Sequence, residues 1–210
     1  MINLLVIFAL LFTFSGCSSK QDNEGSIMPQ RKPTIIGIIL GSTREGRSSD
    51  KIAKNLKEIA NKRDDIVTEI IDLKDYNLPF FNEATPPASR EKITDLAIKK
   101  WSEKIREMDA FVIVLPEYNS GYPGVLKNAM DSLYKEWNNK PVGFVGYSGG
   151  PSGATSAISQ MRQVAQAFQM IPVSTEIKIP SAWKAFDEKG NLVKNIEQEF
   201  NDMIDQIIES

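Results

Sequence analysis

The sequence predicts a doubly wound α/β fold, a five-stranded parallel sheet with helices on both faces. Two observations carry this. From Thr34 onward, short β-branched or apolar runs alternate with stretches of helical period, five times over. Two of the runs, "TIIGIIL" (34–40) and "AFVIVLP" (110–116), are continuously apolar, as strands buried on both faces should be. Right-handed crossovers leave few strand orders, and 2-1-3-4-5 is the natural choice.

Each element has its own signal. After the first strand, a helix over 48–63 puts Ile52, Leu56, Ile59 and Ala60 on one stripe. "IVTEIIDL" (66–73) is a second strand whose more alternating pattern suits a place nearer an edge. "KDYNLPFFNEATPPAS" then runs for about 16 residues without a regular pattern, longer than ordinary connections and of a kind often functional. A helix over 91–108 carries Ile93, Ala97, Trp101, Ile105 and Met108 on one face. Pro116 stops the third strand, and Pro123 suits the first position of a helix over 123–138 lined by Val125, Ala129 and Leu133. "PVGFVGY" (141–147) is the fourth strand, and the helix after it (154–169) uses Ile158, Met161, Ala165 and Phe168. "PVSTEIKI" (172–179) is the fifth strand, and Ile196, Phe200, Ile204 and Ile207 mark a closing helix.

Composition removes several functions. A net charge of −2 implies no basic face, and so no nucleic-acid partner. The chain has no histidine and one cysteine. That excludes histidine-based triads, imidazole metal ligands, internal disulfides and cysteine-rich metal sites. We expect no metal site.

In such sheets ligands bind outside the C-terminal ends of the strands near the switch point. The loops that meet there follow strands 1, 3 and 4: "GSTREGRSS" (41–49), "PEYNSGYPG" (116–124) and "YSGGPSG" (147–153). The first is nearly a P-loop, GxxxxGK[ST], with Arg47 in place of the lysine. A triphosphate site also needs a carboxylate for Mg²⁺. Asp72 could serve on position alone, but strand 3 ends in proline. A phosphate monoester needs no metal. Hydroxyls of Ser42, Thr43, Ser48 and Ser49, an Arg44 fork and free N–H groups at a helix start suffice to hold it. The bland alternative is an ordinary turn with Ser48 as helix N-cap. "GYSGG" (146–150) matches the nucleophile elbow G-x-S-x-G, but Ser148 has no histidine to take its proton. It reads better as a glycine-rich loop over which a flat ligand can approach the backbone.

"PEYNSGYPGVLKNAMD" (116–131) is the most specific stretch. With G-S-x-R after strand 1, the G-G loop after strand 4 and Leu78-Pro79 in the long loop, the chain resembles the NADPH-dependent FMN reductases from about Thr34 to Ile179. These are flavodoxin-like enzymes that include quinone, azo-dye and chromate reductases. The resemblance implies FMN as cofactor and NAD(P)H as co-substrate. It places the FMN phosphate on Ser42, Arg44, Ser48 and Ser49, with Arg47 a weaker candidate. Pro116, Glu117, Tyr118 and Asn119 would meet the ribityl chain and the pyrimidine side of the ring, and Ser148, Gly149 and Gly150 the ring edge. It also implies a homodimer or homotetramer, with the long loop, Tyr76 to Phe81, near a neighbour's flavin. Plain loop packing is the alternative for Phe80 and Phe81. Flavin carries the redox chemistry, so no catalytic side chain is expected. Backbone N–H groups from Glu117 to Asn119 and from Gly149 to Gly150 are candidates to bond the ring's polar edge. The expected reaction is hydride transfer from NAD(P)H to FMN and on to a quinone, azo compound or similar small acceptor. A non-enzymatic flavodoxin-type electron carrier is the alternative.

The N-terminus carries a separate signal. "MINLLVIFALLFTFSGC" has an apolar core, Leu4 to Phe14, about half the roughly 20 residues a spanning helix needs. It matches a signal-peptide core, and "FSGC" resembles a lipobox with Cys17 as the lipidated residue. Residues 18–33 read as a polar tether and 34–210 as the FMN-binding domain. The expected location is a lipoprotein of the bacterial envelope, touching the membrane only through its lipid. If translation starts at Met28, the location is cytoplasmic.

Overall fold

The computed structural model describes residues 32–210. The signal-like segment 1–17 with Cys17, most of the tether, and Met28 lie outside the described residues. The sheet contains β1 (Thr34–Leu40), β2 (Ile66–Asp72), β3 (Ala110–Pro116), β4 (Pro141–Tyr147) and β5 (Ile171–Ile179). The strands are all parallel, in the order β2-β1-β3-β4-β5. Sequence pattern and position agree. β3 is buried along its whole length, whereas β2, on the edge, alternates and leaves Val67 exposed.

Two apolar layers sandwich the sheet. On one face α1 (Ser49–Ala60) and α5 (Glu197–Glu209) cover Ile36, Ile38, Leu40, Val112 and Val114. On the other face α2 (Leu96–Glu107), α3 (Gly124–Asp131) and α4 (Thr155–Ala167) cover Ile39, Phe111, Ile113 and Phe144. Trp137 packs edge-on between Trp101 and Phe111, with ring centroids 5.9 and 5.2 Å away. Both indole N–H groups are satisfied inside this layer, Trp101 by the Ala129 carbonyl at 2.8 Å and Trp137 by the Met130 carbonyl at 3.2 Å.

Several boundaries differ from the sequence reading, and α1 ends at Ala60 rather than 63. α2 begins at Leu96 rather than 91, because the Asp95 side chain accepts from Ile98 N at 3.0 Å and caps it there. Ile93 still packs on the core, but from the loop. Pro123 is the N-cap of α3, not its first residue: its ψ of 139° is extended, and its carbonyl takes the Leu126 N–H at 3.1 Å. α3 stops at Asp131, well short of 138. Beyond it, the buried Glu136 carboxylate draws the chain aside by accepting from Ser102 Oγ at 2.7 Å, Arg106 at 3.0 Å and Tyr134 N at 3.3 Å. Leu133 and Trp137 stay in the core through turns.

The long loop after β2 is tied to the body. It opens on a 3₁₀ turn, Leu73–Tyr76, and is gripped by Asn128 of α3. The Asn128 amide donates to the Pro79 carbonyl at 2.8 Å, and its oxygen accepts from Phe81 N at 2.9 Å. Two backbone groups are thereby satisfied by one side chain, leaving Phe80 pointing to solvent, 85% exposed.

Candidate functional site

The loops after β1, β3, β4 and β5 surround a cavity of about 300 Å³ at the C-terminal ends of the strands. Of the residues expected at the site, Arg44, Arg47, Ser48, Pro116, Glu117, Tyr118, Ser148 and Gly149 line it. Ser42, Ser49, Asn119 and Gly150 are each next in sequence to, or bonded to, a lining residue but do not line it themselves.

The first loop is organised by two residues that face inward. Ser42 is buried; its hydroxyl meets Tyr118 Oη at 2.7 Å and accepts from Arg44 N at 3.2 Å. Ser42 therefore joins the β1 and β3 loops. Arg47 is also buried, and its guanidinium is fully engaged. It bonds Asp50 through Nε and Nη2 at 2.8 Å each, both carboxylate oxygens of Asp72, and the Ser42 carbonyl. This corrects Arg47 as a phosphate candidate, because none of its donors is left to meet a ligand. It also removes Asp72 as a carboxylate for Mg²⁺, since that group is spent on Arg47. Burial works to raise the Asp72 pKa, but the Arg47 bonds and the Lys74 N–H hold it below the usual carboxylate value. The bonds to Asp50 and then to Asp72 raise the Arg47 pKa.

Arg44 is the opposite case. It is exposed on the cavity rim, and its guanidinium pairs with no carboxylate among the described residues. Behind it stands the N-terminus of α1, where Ser48 is the cap residue but makes no side-chain cap bond. The Ser49 hydroxyl is fully buried and faces Tyr147 closely enough to work against the rise in that phenol's pKa, yet neither the Ser49 Oγ nor the Tyr147 Oη completes a hydrogen bond of normal geometry. Burial raises the Tyr147 pKa to about 12, so this phenol stays a donor at physiological pH. An unpaired cation, an open helix N-terminus and two buried hydroxyls with incomplete hydrogen bonding form a set that suits an anion.

The β3 loop is a tight turn. Asn119 and Ser120 both take positive φ, 49° and 64°, as in the type I′ turns of hairpins. Tyr118 and Gly121 exchange both backbone bonds, at 2.8 and 3.0 Å. That corrects one expectation: the Tyr118 N–H is used inside the turn, and the Glu117 N–H is held by the Tyr147 carbonyl at 3.0 Å. Only Asn119 of the three keeps a free N–H among the described residues.

In the β4 loop the glycines divide into two kinds. Gly146 lies under the loop, where a Cβ would come within 2.8 Å of the Gly153 carbonyl and the Ala154 Cβ. Gly149 and Gly150 have open space above them instead. The Ser148 hydroxyl donates to the Gly150 carbonyl at 3.0 Å, so it shapes the loop and attacks nothing.

Sequence reasoning missed Tyr147, Ala182 and Trp183, which also line the cavity. Trp183 follows β5 and is 77% exposed, whereas Trp101 and Trp137 are fully buried. A signal was present: "PSAW" (180–183) lies outside the C-terminal end of a strand, where ligands of such sheets bind.

Strand order and site position define a flavodoxin-like α/β protein with an anion cradle beside a glycine-rich loop. The family model described as NADPH-dependent FMN reductase matches residues 34–184, and the chain belongs to that family. It is 40% identical over 116 residues to an NAD(P)H-dependent FMN reductase of Schizosaccharomyces pombe, covering 55% of this chain and 58% of that one. It is 31% identical over 118 residues to a quinone reductase of Pseudomonas putida, covering 54% and 59%. The chain thus spans under two thirds of the length of these curated relatives. Among solved structures, the flavoenzyme NAD(P)H:(acceptor) oxidoreductase from Paracoccus denitrificans superposes with a TM-score of 0.69 over 84% of this chain and 98% of its own. At 24% identity that likeness speaks for the fold.

Proposed function

We propose that the protein is an NAD(P)H-dependent FMN oxidoreductase acting on small acceptors such as quinones or azo compounds. The observation that carries this reading is the cavity at the start of α1, where the exposed Arg44, the Ser48 hydroxyl that makes no cap bond, and Tyr147 line a space that fits a phosphate monoester. Arg44 and the α1 N–H groups would hold the FMN phosphate, with Ser48 alongside. Ser42 would act from behind, by fixing Arg44 N and Tyr118. Asn119, Gly149 and Gly150 would offer backbone N–H groups to the ring's polar edge, while Pro116 and Trp183 supply apolar wall. Bound FMN supplies the hydride acceptance and donation, so the site needs no histidine. Mixing the protein, FMN and NADPH without oxygen should bleach the flavin absorbance. Absorbance that stays constant rules out the reductase and leaves the electron-carrier reading.

The same reading extends to assembly and address. Phe80, 85% exposed, lines another cavity of about 260 Å³ together with Phe81 and Ile98, and Leu96, next in sequence to the lining residue Asp95, is 81% exposed. Apolar groups this exposed favour a partner copy on that face. Light scattering should give a dimer or tetramer, and Phe80→Glu should shift it toward monomer; an unshifted mass removes Phe80 from the interface. The lipobox-like "FSGC" supports an envelope lipoprotein. Mass spectrometry of the native protein should find a diacylglyceryl-modified Cys17 as first residue, and an unmodified chain starting at Met28 refutes it.

A further inference from the structure

We propose that Glu117 is a positioning residue whose carboxylate closes the N-terminus of α4 and so sets how strongly the cavity favours reduced over oxidised flavin. The inference rests on the FMN reading above. α4 begins at Thr155 after Ala154, a left-handed residue with φ 71° and no side chain able to cap. Its first N–H groups would be orphaned. Glu117, at the far end of β3, takes them instead: Oε2 accepts from Ser156 N at 2.9 Å and from Ala157 N at 3.2 Å. Its other oxygen accepts from Ser152 Oγ at 3.2 Å. One side chain therefore binds the β3 loop, the glycine loop and α4 together.

The electrostatic consequence follows from position. Glu117 lines the cavity, so the charge at this cap is felt by whatever fills it. A helix N-terminus carries about half a positive charge, and a carboxylate on it overcompensates to about half a negative one. Reduction adds negative charge to the flavin ring. The wall made by Glu117 opposes that charge, whereas the bare helix end would favour it. A glutamine here keeps the oxygen that accepts from Ser156 and Ala157, removes the charge, and leaves its amide to donate to the Ser152 hydroxyl instead of accepting from it.

The test is the midpoint potential of bound FMN, which reports the ratio of affinities for the reduced and oxidised forms. Glu117→Gln should move that ratio about tenfold toward the reduced form, a rise of about 30 mV for a two-electron couple, with the melting temperature little changed. Ser156→Lys leaves the Glu117 cap in place and adds a cation beside it, so it should shift the potential in the same direction. Glu117→Ala should lower the melting temperature by uncapping α4. Unchanged potentials in FMN-loaded Glu117→Gln and Ser156→Lys overturn the proposal and reduce Glu117 to a structural cap. A wild-type protein that binds no FMN overturns the FMN reading itself, and the proposal with it.

Discussion

Arg44→Ala should weaken FMN binding by roughly 2–3 kcal/mol, about 30- to 150-fold, while riboflavin binding stays nearly unchanged. The argument is one of availability. The opening loop holds two arginines, and the structure separates their tasks. Arg47 is buried with every donor engaged, so it cannot reach a ligand without abandoning two carboxylates. Arg44 is exposed at the cavity and unpaired among the described residues. It is the cation that gains a partner when a phosphate arrives. Riboflavin lacks that phosphate and loses nothing when Arg44 is shortened. Parallel titrations of the two flavins against wild type and variant provide the check. Equal losses for both would show that Arg44 contacts the ring or ribityl chain instead.

Arg47→Ala should cost roughly 3 kcal/mol of stability, at the low end for a broken buried pair because the Asp72 and Asp50 side chains are 23% and 53% exposed. For a domain of this size that lowers the melting temperature by about 6–12 °C. Lysine should rescue little, since it cannot make the paired, planar contacts to Asp72 and Asp50. The effect should depend on pH with a definite sign. The folded-state pKa of Asp72 is depressed, so its contribution is present above the ordinary carboxylate pKa of about 3.9 and is lost as pH falls through the folded value. The gap between wild type and Arg47→Ala should therefore be widest near neutral pH and narrow below about pH 4. A gap that is constant from pH 7 to pH 3 would show that Arg47 stabilises the loop by packing alone.

The sheet was legible because burial on both faces writes itself into sequence. β1 and β3 are central and fully apolar, β2 alternates at an edge, and the loops with functional composition fall at the strand ends where α/β sheets bind ligands. Helix ends were less legible, because caps compete. Asp95 set the start of α2, and Glu136 ended the helical path after α3 through contacts with α2 that no local pattern displays.

The sequence by itself determined the fold class, the strand order and the three loops that gather at the site, since these follow from hydrophobic period and turn chemistry. Tertiary structure alone decided which of two arginines is free, because that depends on Asp72, 25 positions away at the end of another strand. It also decided that Glu117 spends its carboxylate on a helix 39 residues further on, and that Trp183 joins the cavity wall. Residue type states what a side chain can bond. Only the packed chain states which partner reaches it first.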